Sequence, residues 1–174
     1  MTPRRPSDRP LYTPAQRHRR DHTVWTWVQA VLAPVQFVVF LVSLVLVCRC
    51  LLWDLDPTWA LWSVVLKTGL LYTIMVTGCI WEKVVFGQYL FAPSFFWEDV
   101  VSMGVLALHT AYLWAWWQQG LSPEQQLWLA LAAYALYAIN ATQFLLKLRA
   151  ARLQSTPAAP HAASTSAMPL GGAP

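Results

Sequence analysis

Apolar residues along this chain fall in four long blocks instead of alternating with polar ones. The first runs from Val24 to Cys48 without a charge, and the second from about Trp59 to Trp81, broken by Lys67. The third lies in the uncharged interval between Asp99 and Glu124, and the fourth runs from Gln125 to Leu146. A helix needs about 20 such residues to cross a bilayer. Membrane strands would alternate apolar and polar residues over about ten positions, a pattern not seen in the chain. Helices also satisfy their backbone polar groups internally, as hydrocarbon requires. The pattern therefore predicts an all-α integral membrane protein with four transmembrane helices, at about 24–48, 59–81, 100–118 and 125–147. Together they form a domain over 23–153, between a basic tail at 1–22 and a tail at 154–174 whose Pro, Ala, Ser, Thr and Gly are too weakly hydrophobic to fold.

Charge fixes the expected orientation. Arg4, Arg5, Arg9, Arg17, Arg19 and Arg20 precede the first span, Lys83 lies between the second and third, and Lys147, Arg149 and Arg152 end the fourth. The opposite loops hold Arg49 alone. By the positive-inside rule both termini and the middle loop are cytoplasmic. The first span is longer than a signal-peptide core and no small-residue cleavage site follows it, so it is expected to stay. The Arg-rich tail reads as a topology signal lying against anionic lipid.

Composition narrows the function. The chain of 174 residues is 57% apolar and 11% charged, against about 25% charged in a typical soluble domain. That excludes a nucleic-acid-binding domain despite the net charge of +4, and a disulfide-stapled module despite three Cys. Cys48, Cys50 and Cys79 lack further Cys or His at zinc-ligand spacing and read as small apolar residues. Ionisable residues inside a span mark candidate sites because they are costly there. Lys67 either lines a cavity or snorkels outward. His109 shares a helix face with Glu98, Ser102 and Trp116, so its role is either a bond to a neighbouring helix or a functional one. Gln29, Gln36 and Ser43 on the first span, and Asn140, Gln143 and Lys147 on the fourth, read as polar glue between helices.

The middle loop is the densest segment. It opens on Trp81-Glu82, closes on Trp97-Glu98-Asp99, and is apolar and aromatic between. An interfacial aromatic belt explains part of this. It does not explain why Glu82, Glu98 and Asp99 gather on the expected cytoplasmic side. Carboxyl groups beside apolar walls resist ionisation and can act as general acids near neutral pH. An aromatic cleft with an acid at its rim suits a large, flat, hydrophobic substrate. No Gly-rich phosphate loop and no nucleophile triad accompanies it.

Long motifs carry a family resemblance. They are Leu70-Leu-Tyr-Thr-Ile-Met-Val-Thr-Gly78, Trp81-Glu-Lys-Val-Val-Phe-Gly87, Tyr89-Leu-Phe-Ala-Pro93, Phe95-Phe-Trp-Glu-Asp-Val-Val-Ser-Met103 and Ala107-Leu-His-Thr-Ala-Tyr112. Leu11-Tyr-Thr-Pro14, Val31-Leu-Ala-Pro-Val-Gln-Phe37 and Asn140-Ala-Thr-Gln-Phe-Leu-Leu-Lys-Leu-Arg-Ala-Ala-Arg152 extend them. With these the chain resembles the 3-vinyl bacteriochlorophyllide hydratases (2-vinyl in older ring numbering) from about Leu11 to Leu153. The resemblance implies a multi-pass enzyme of the bacterial cytoplasmic membrane, inner or intracytoplasmic. It would hydrate the C3-vinyl group of chlorophyllide a, or of its bacteriochlorin counterpart, to 1-hydroxyethyl in bacteriochlorophyll synthesis. It implies no cofactor, magnesium being part of the substrate.

Given that substrate, the hydroxyl ends on the carbon beside the ring, so an acid protonates the terminal vinyl carbon before water attacks. Glu98 or Glu82 is the expected donor, with Asp99 the alternative or the base that orients water. His109 would ligate the substrate magnesium or hold the ring, Lys83 would pair with its propionate, and Phe86, Tyr89, Phe95, Phe96 and Trp97 would line its face, with Ser102 nearby. Neighbouring pigment-synthesis enzymes are expected partners besides lipid, and nucleic acid is not. The competing reading is a non-catalytic tetrapyrrole or quinone carrier or assembly factor, which needs the cleft and not the acid.

Overall fold

The computed structural model describes residues 11–155. The first ten residues of the basic tail, and 156–174 of the C-terminal tail expected to be disordered, lie outside the described residues. Within them the protein is all-helical: α1 (Pro14–His22), α2 (Val24–Trp53), α3 (Thr58–Phe86), α4 (Phe96–Gln118) and α5 (Pro123–Ser155). Helices α2 to α5 are each long and apolar enough to cross a membrane. They run past the apolar windows read from the sequence, because hydropathy locates hydrocarbon and not the last helical hydrogen bond.

Local chemistry sets the ends. Thr13 and Gln16 form a capping box before α1, with Pro14 in its first turn. The Thr23 hydroxyl accepts the Trp25 amide to start α2, and Asp56 accepts the Thr58 amide at the start of α3. Ser122 and Gln125 reciprocate at the start of α5. The helix α1 was not anticipated in a tail read as a topology signal. No buried face of its own marks it, and it is held by its cap and by what it packs against.

The short links Asp54–Pro57 and Gln119–Ser122 make antiparallel hairpins, so α2 packs chiefly on α3 and α4 on α5. The seam between α3 and α4 is sparser. Val47, Val64, Val105, Leu127 and Tyr134 fill the interior with Phe40 and Tyr112. Polar residues on the inner faces join helices, as with Gln29 to Thr77 (2.8 Å) and Ser43 to Ser63 (2.6 Å). Large apolar side chains point outward, among them Val38, Val42, Leu66, Val76, Ile139 and Leu145. An apolar surface of this extent calls for an apolar surrounding. A second cluster closes the end where α1 lies, built from Tyr12, Val85, Phe95 and Ala151 with Trp81, Phe86 and Phe144 against it. It matters below because it fixes the linker from α3 to α4.

Candidate active site

Glu82 sits one turn before the end of α3, and Asp99 lies in the first turn of α4. The nine-residue linker between these helices folds back and brings them together. Gly87 ends α3 in the left-handed region (φ 89°), its amide donating to the Lys83 carbonyl, a conformation that a side chain would strain. Phe91 is also left-handed (φ 60°), which costs an aromatic residue about 1–2 kcal/mol. Its amide donates to Asp99 Oδ2 at 2.7 Å, so the carboxyl group holds the strained turn in place. The Phe95 amide closes the last turn of the linker on the Ala92 carbonyl at 2.7 Å.

The carboxyl groups of Glu82 and Asp99 face each other within hydrogen-bonding reach. They are 4% and 7% exposed. Their surroundings differ. Asp99 accepts the Phe91 amide, whereas neither Glu82 oxygen accepts a hydrogen bond of ordinary length and angle from a described donor. The third carboxylate, Glu98, faces elsewhere and is paired with Lys147 on α5 at 2.7 Å. The same ammonium lies 5.2 Å from the Phe95 ring centre. Ser102 is buried, donating to the Glu98 carbonyl and accepting from Asn140.

The aromatic residues of the loop divide in two. Phe95 and Phe86 are packed with Trp81, Tyr12 and Phe144, at centroid distances of 5.7 to 6.3 Å around Phe95. They build the floor and offer little surface. Tyr89, Phe96 and Trp97 are exposed, as is Phe91, which sequence reasoning did not single out. Phe91 and Trp97 flank Phe96 at 5.7 and 5.4 Å, forming an aromatic lip beside the carboxyl pair. Lys83 is exposed, spends one donor on the Gly87 carbonyl at 2.9 Å and lies over the Tyr89 ring.

His109 is not part of this cluster. It lies ten residues beyond Asp99 on α4, about 15 Å along the axis, and is fully buried. Its Nδ1–H donates to the Val105 carbonyl at 2.8 Å, since a carbonyl accepts only, and Nε2 therefore accepts from Lys67 Nζ at 3.0 Å. Both ring nitrogens are engaged, leaving none for a magnesium ion in this arrangement. Lys67 neither snorkels nor lines an opening: it is fully buried, with the Tyr137 ring centre 3.8 Å away. Removing one partner strands the other, so His109→Ala is expected to cost about 3–5 kcal/mol of stability. The melting midpoint of purified protein in detergent reads this. Activity per folded molecule should hold, and Lys67→Met with His109→Leu should recover most of the loss.

A groove of about 520 Å³ lined by Tyr72, Thr110, Leu113, Trp114, Trp116 and Trp117 lies on the α3–α4 seam, toward the helix ends remote from the carboxyl pair.

Fold and site together define a class: an all-helical protein whose four membrane-length helices carry a buried carboxyl pair beside an exposed aromatic lip. The family model for 2-vinyl bacteriochlorophyllide hydratase (BCHF) matches residues 12–150. The chain is 63% identical over 154 residues to a 2-vinyl bacteriochlorophyllide hydratase of Rhodobacter capsulatus, covering 88% of this chain and 90% of that protein. It is likewise 63% identical over 145 residues to one of Cereibacter sphaeroides, covering 83% and 90%. No solved structure matches it. The chain belongs to the 2-vinyl bacteriochlorophyllide hydratase family.

Proposed function

We propose that this protein hydrates the C3-vinyl group of chlorophyllide a or a vinyl bacteriochlorophyllide to 1-hydroxyethyl, with Glu82 as general acid and Asp99 as general base. The contact between these two carboxyl groups carries the reading. Two carboxyls this close in a buried site cannot both be ionised and hold one proton between them. The amide of Phe91 stabilises charge on Asp99, while Glu82 lacks such a donor. The shared proton therefore resides on Glu82.

The cycle follows from that placement. Glu82 protonates the terminal vinyl carbon, and the positive charge left on the carbon beside the ring spreads into the macrocycle. Water attacks that carbon as Asp99 takes one of its protons. Asp99 is then protonated and Glu82 ionised, and one transfer across their contact restores the starting state. One water is consumed, with no net proton and no change of overall oxidation level. The reaction thus calls for no redox cofactor, and the magnesium arrives with the substrate. The exposed rings of Tyr89, Phe91, Phe96 and Trp97 would take the flat macrocycle, with Lys83 in reach of a propionate at the edge. Glu98, neutralised by Lys147, serves the frame.

The same reading sets the protein in a bacterial cytoplasmic membrane, crossed by α2 to α5, with both termini and the carboxyl pair on the cytoplasmic side. The outward apolar surface and the sorting of Arg and Lys support it. Enzymes that supply the vinyl pigment and consume the alcohol are its expected neighbours there. The test is to incubate membranes containing the protein with chlorophyllide a and look for a mass gain of one water. Full hydration by Glu82→Gln, and by Asp99→Asn, would refute the carboxyl mechanism.

A further inference from the structure

Helix α4 begins without a side-chain cap of its own: Phe95 occupies the N-cap position and makes no capping bond. The first turn, which carries Asp99, is instead held from α5. Asn140 Nδ2 donates to the Glu98 carbonyl and to Ser102 Oγ, both at 3.0 Å. Ser102 Oγ donates in turn to the same Glu98 carbonyl at 2.8 Å. That carbonyl belongs to the peptide unit leading into Asp99, and the Asp99 amide is itself bonded to the Phe95 carbonyl at 3.0 Å. The peptide plane before Asp99 is thus fixed at both ends, and with it the direction of the Asp99 side chain. Both hydrogens of the Asn140 amide are spent on this one turn. Simple glue between helices would need no such concentration on a single peptide.

We infer that Asn140 is a positioning residue for the hydration, clamping the first turn of α4 so that the Asp99 carboxyl meets Glu82. The inference rests on the acid–base reading above. A small error in the angle of that turn separates the carboxyl groups. Asp99 then loses its place beside the attacking water and its route for returning the proton. The Phe91 turn bonded to Asp99 shifts with it. Asn140 bonds none of the exposed rings, of which Tyr89 and Phe91 lie on the linker and Phe96 and Trp97 in the clamped turn itself, and a flat apolar contact tolerates a shift that proton transfer does not.

Asn140→Asp tests this, being the same shape without the two donors. In membranes supplied with chlorophyllide a, kcat should fall about 100-fold, the cost of a misplacement near 1 Å. KM and the pigment-induced absorption shift should change far less than kcat, and the amount of folded protein should stay near wild type. Asn140→Ala should do the same and serves if the aspartate repels Glu98 enough to unfold the protein. In an Asp99→Asn background Asn140→Ala should cause no further loss, because it acts through Asp99. A merely structural role predicts the same additional loss in both backgrounds, and that result overturns the inference. Wild-type kcat in Asn140→Asp or Asn140→Ala, with Glu82→Gln inactive, overturns it alone. An active Glu82→Gln overturns the acid–base reading and this inference with it.

Discussion

Replacing Glu82 by Gln should leave a protein that binds the vinyl pigment and does not hydrate it. Glutamine keeps the length of the side chain and is neutral, as the protonated acid is. Its amide can donate to the Asp99 carboxylate, so the contact between α3 and α4 survives. What disappears is the transferable proton. General acid catalysis contributes about 10²–10⁴-fold, and kcat should fall by that much, read as water added per unit time by mass spectrometry. The absorption shift on pigment binding should remain within about twofold, since uniform binding is not what the proton supplies. Glu98→Gln is the matching control. The glutamine amide oxygen can still accept from Lys147, which is itself a quarter exposed and reaches water, so the folded state and most of the activity should persist. If Glu98→Gln were dead and Glu82→Gln active, the donor would be misassigned.

Four long helices were legible because each apolar block exceeds the length that hydrocarbon demands. Their ends were not, since the helices continue past charged residues such as Arg49, Glu82 and Lys147 to Trp53, Phe86 and Ser155. The short α1 carried a readable signal in Thr13-Pro14 and Gln16, yet its basic composition has no apolar stripe to attract attention. The gathering of Glu82, Glu98 and Asp99 was equally plain in the sequence. The different partners they take were not. They depend on the path of the linker, through left-handed backbone at Gly87 and at Phe91, and for an aromatic residue no local preference announces that. They depend also on Lys147 lying opposite Glu98. The spacing of Asn140, Gln143 and Lys147 placed them on one face of α5 without saying which carboxylate they would meet.

The face shared by Glu98, Ser102 and His109 shows the same boundary. Helical periodicity put them on one stripe correctly, and all three are buried. The periodicity did not reveal that the stripe faces the bundle interior, where Lys67 takes up His109 and Asn140 takes up Ser102. In a bilayer the inner face of a bundle is the place for polar side chains. A histidine there is evidence of a partner helix before it is evidence of a ligand. The acid pair escapes this reading because Glu82 receives no bond from any described donor. A group so placed is costly in a purely structural role.

Asp99→Asn should break the cycle at a different step, and the difference is observable. Asparagine keeps an oxygen for the Phe91 amide, so the strained turn stays in place, but it cannot take a proton from attacking water. Net hydration should fall about 10²–10⁴-fold, as in Glu82→Gln. Protonation of the vinyl group belongs to Glu82 and remains open. The cation formed has a freely turning methyl group and, with no base to activate water, returns one of its three hydrogens to Glu82. In D₂O the Asp99→Asn protein should therefore place deuterium on the terminal vinyl carbon of recovered substrate without forming alcohol. Glu82→Gln should do neither. Nuclear magnetic resonance of the vinyl protons, or the isotopic mass of unreacted pigment, separates the two variants. Exchange catalysed by Glu82→Gln, with none by Asp99→Asn, would reverse the roles of acid and base. Exchange by neither would mean that protonation and water attack are concerted, with both carboxyl groups needed at once.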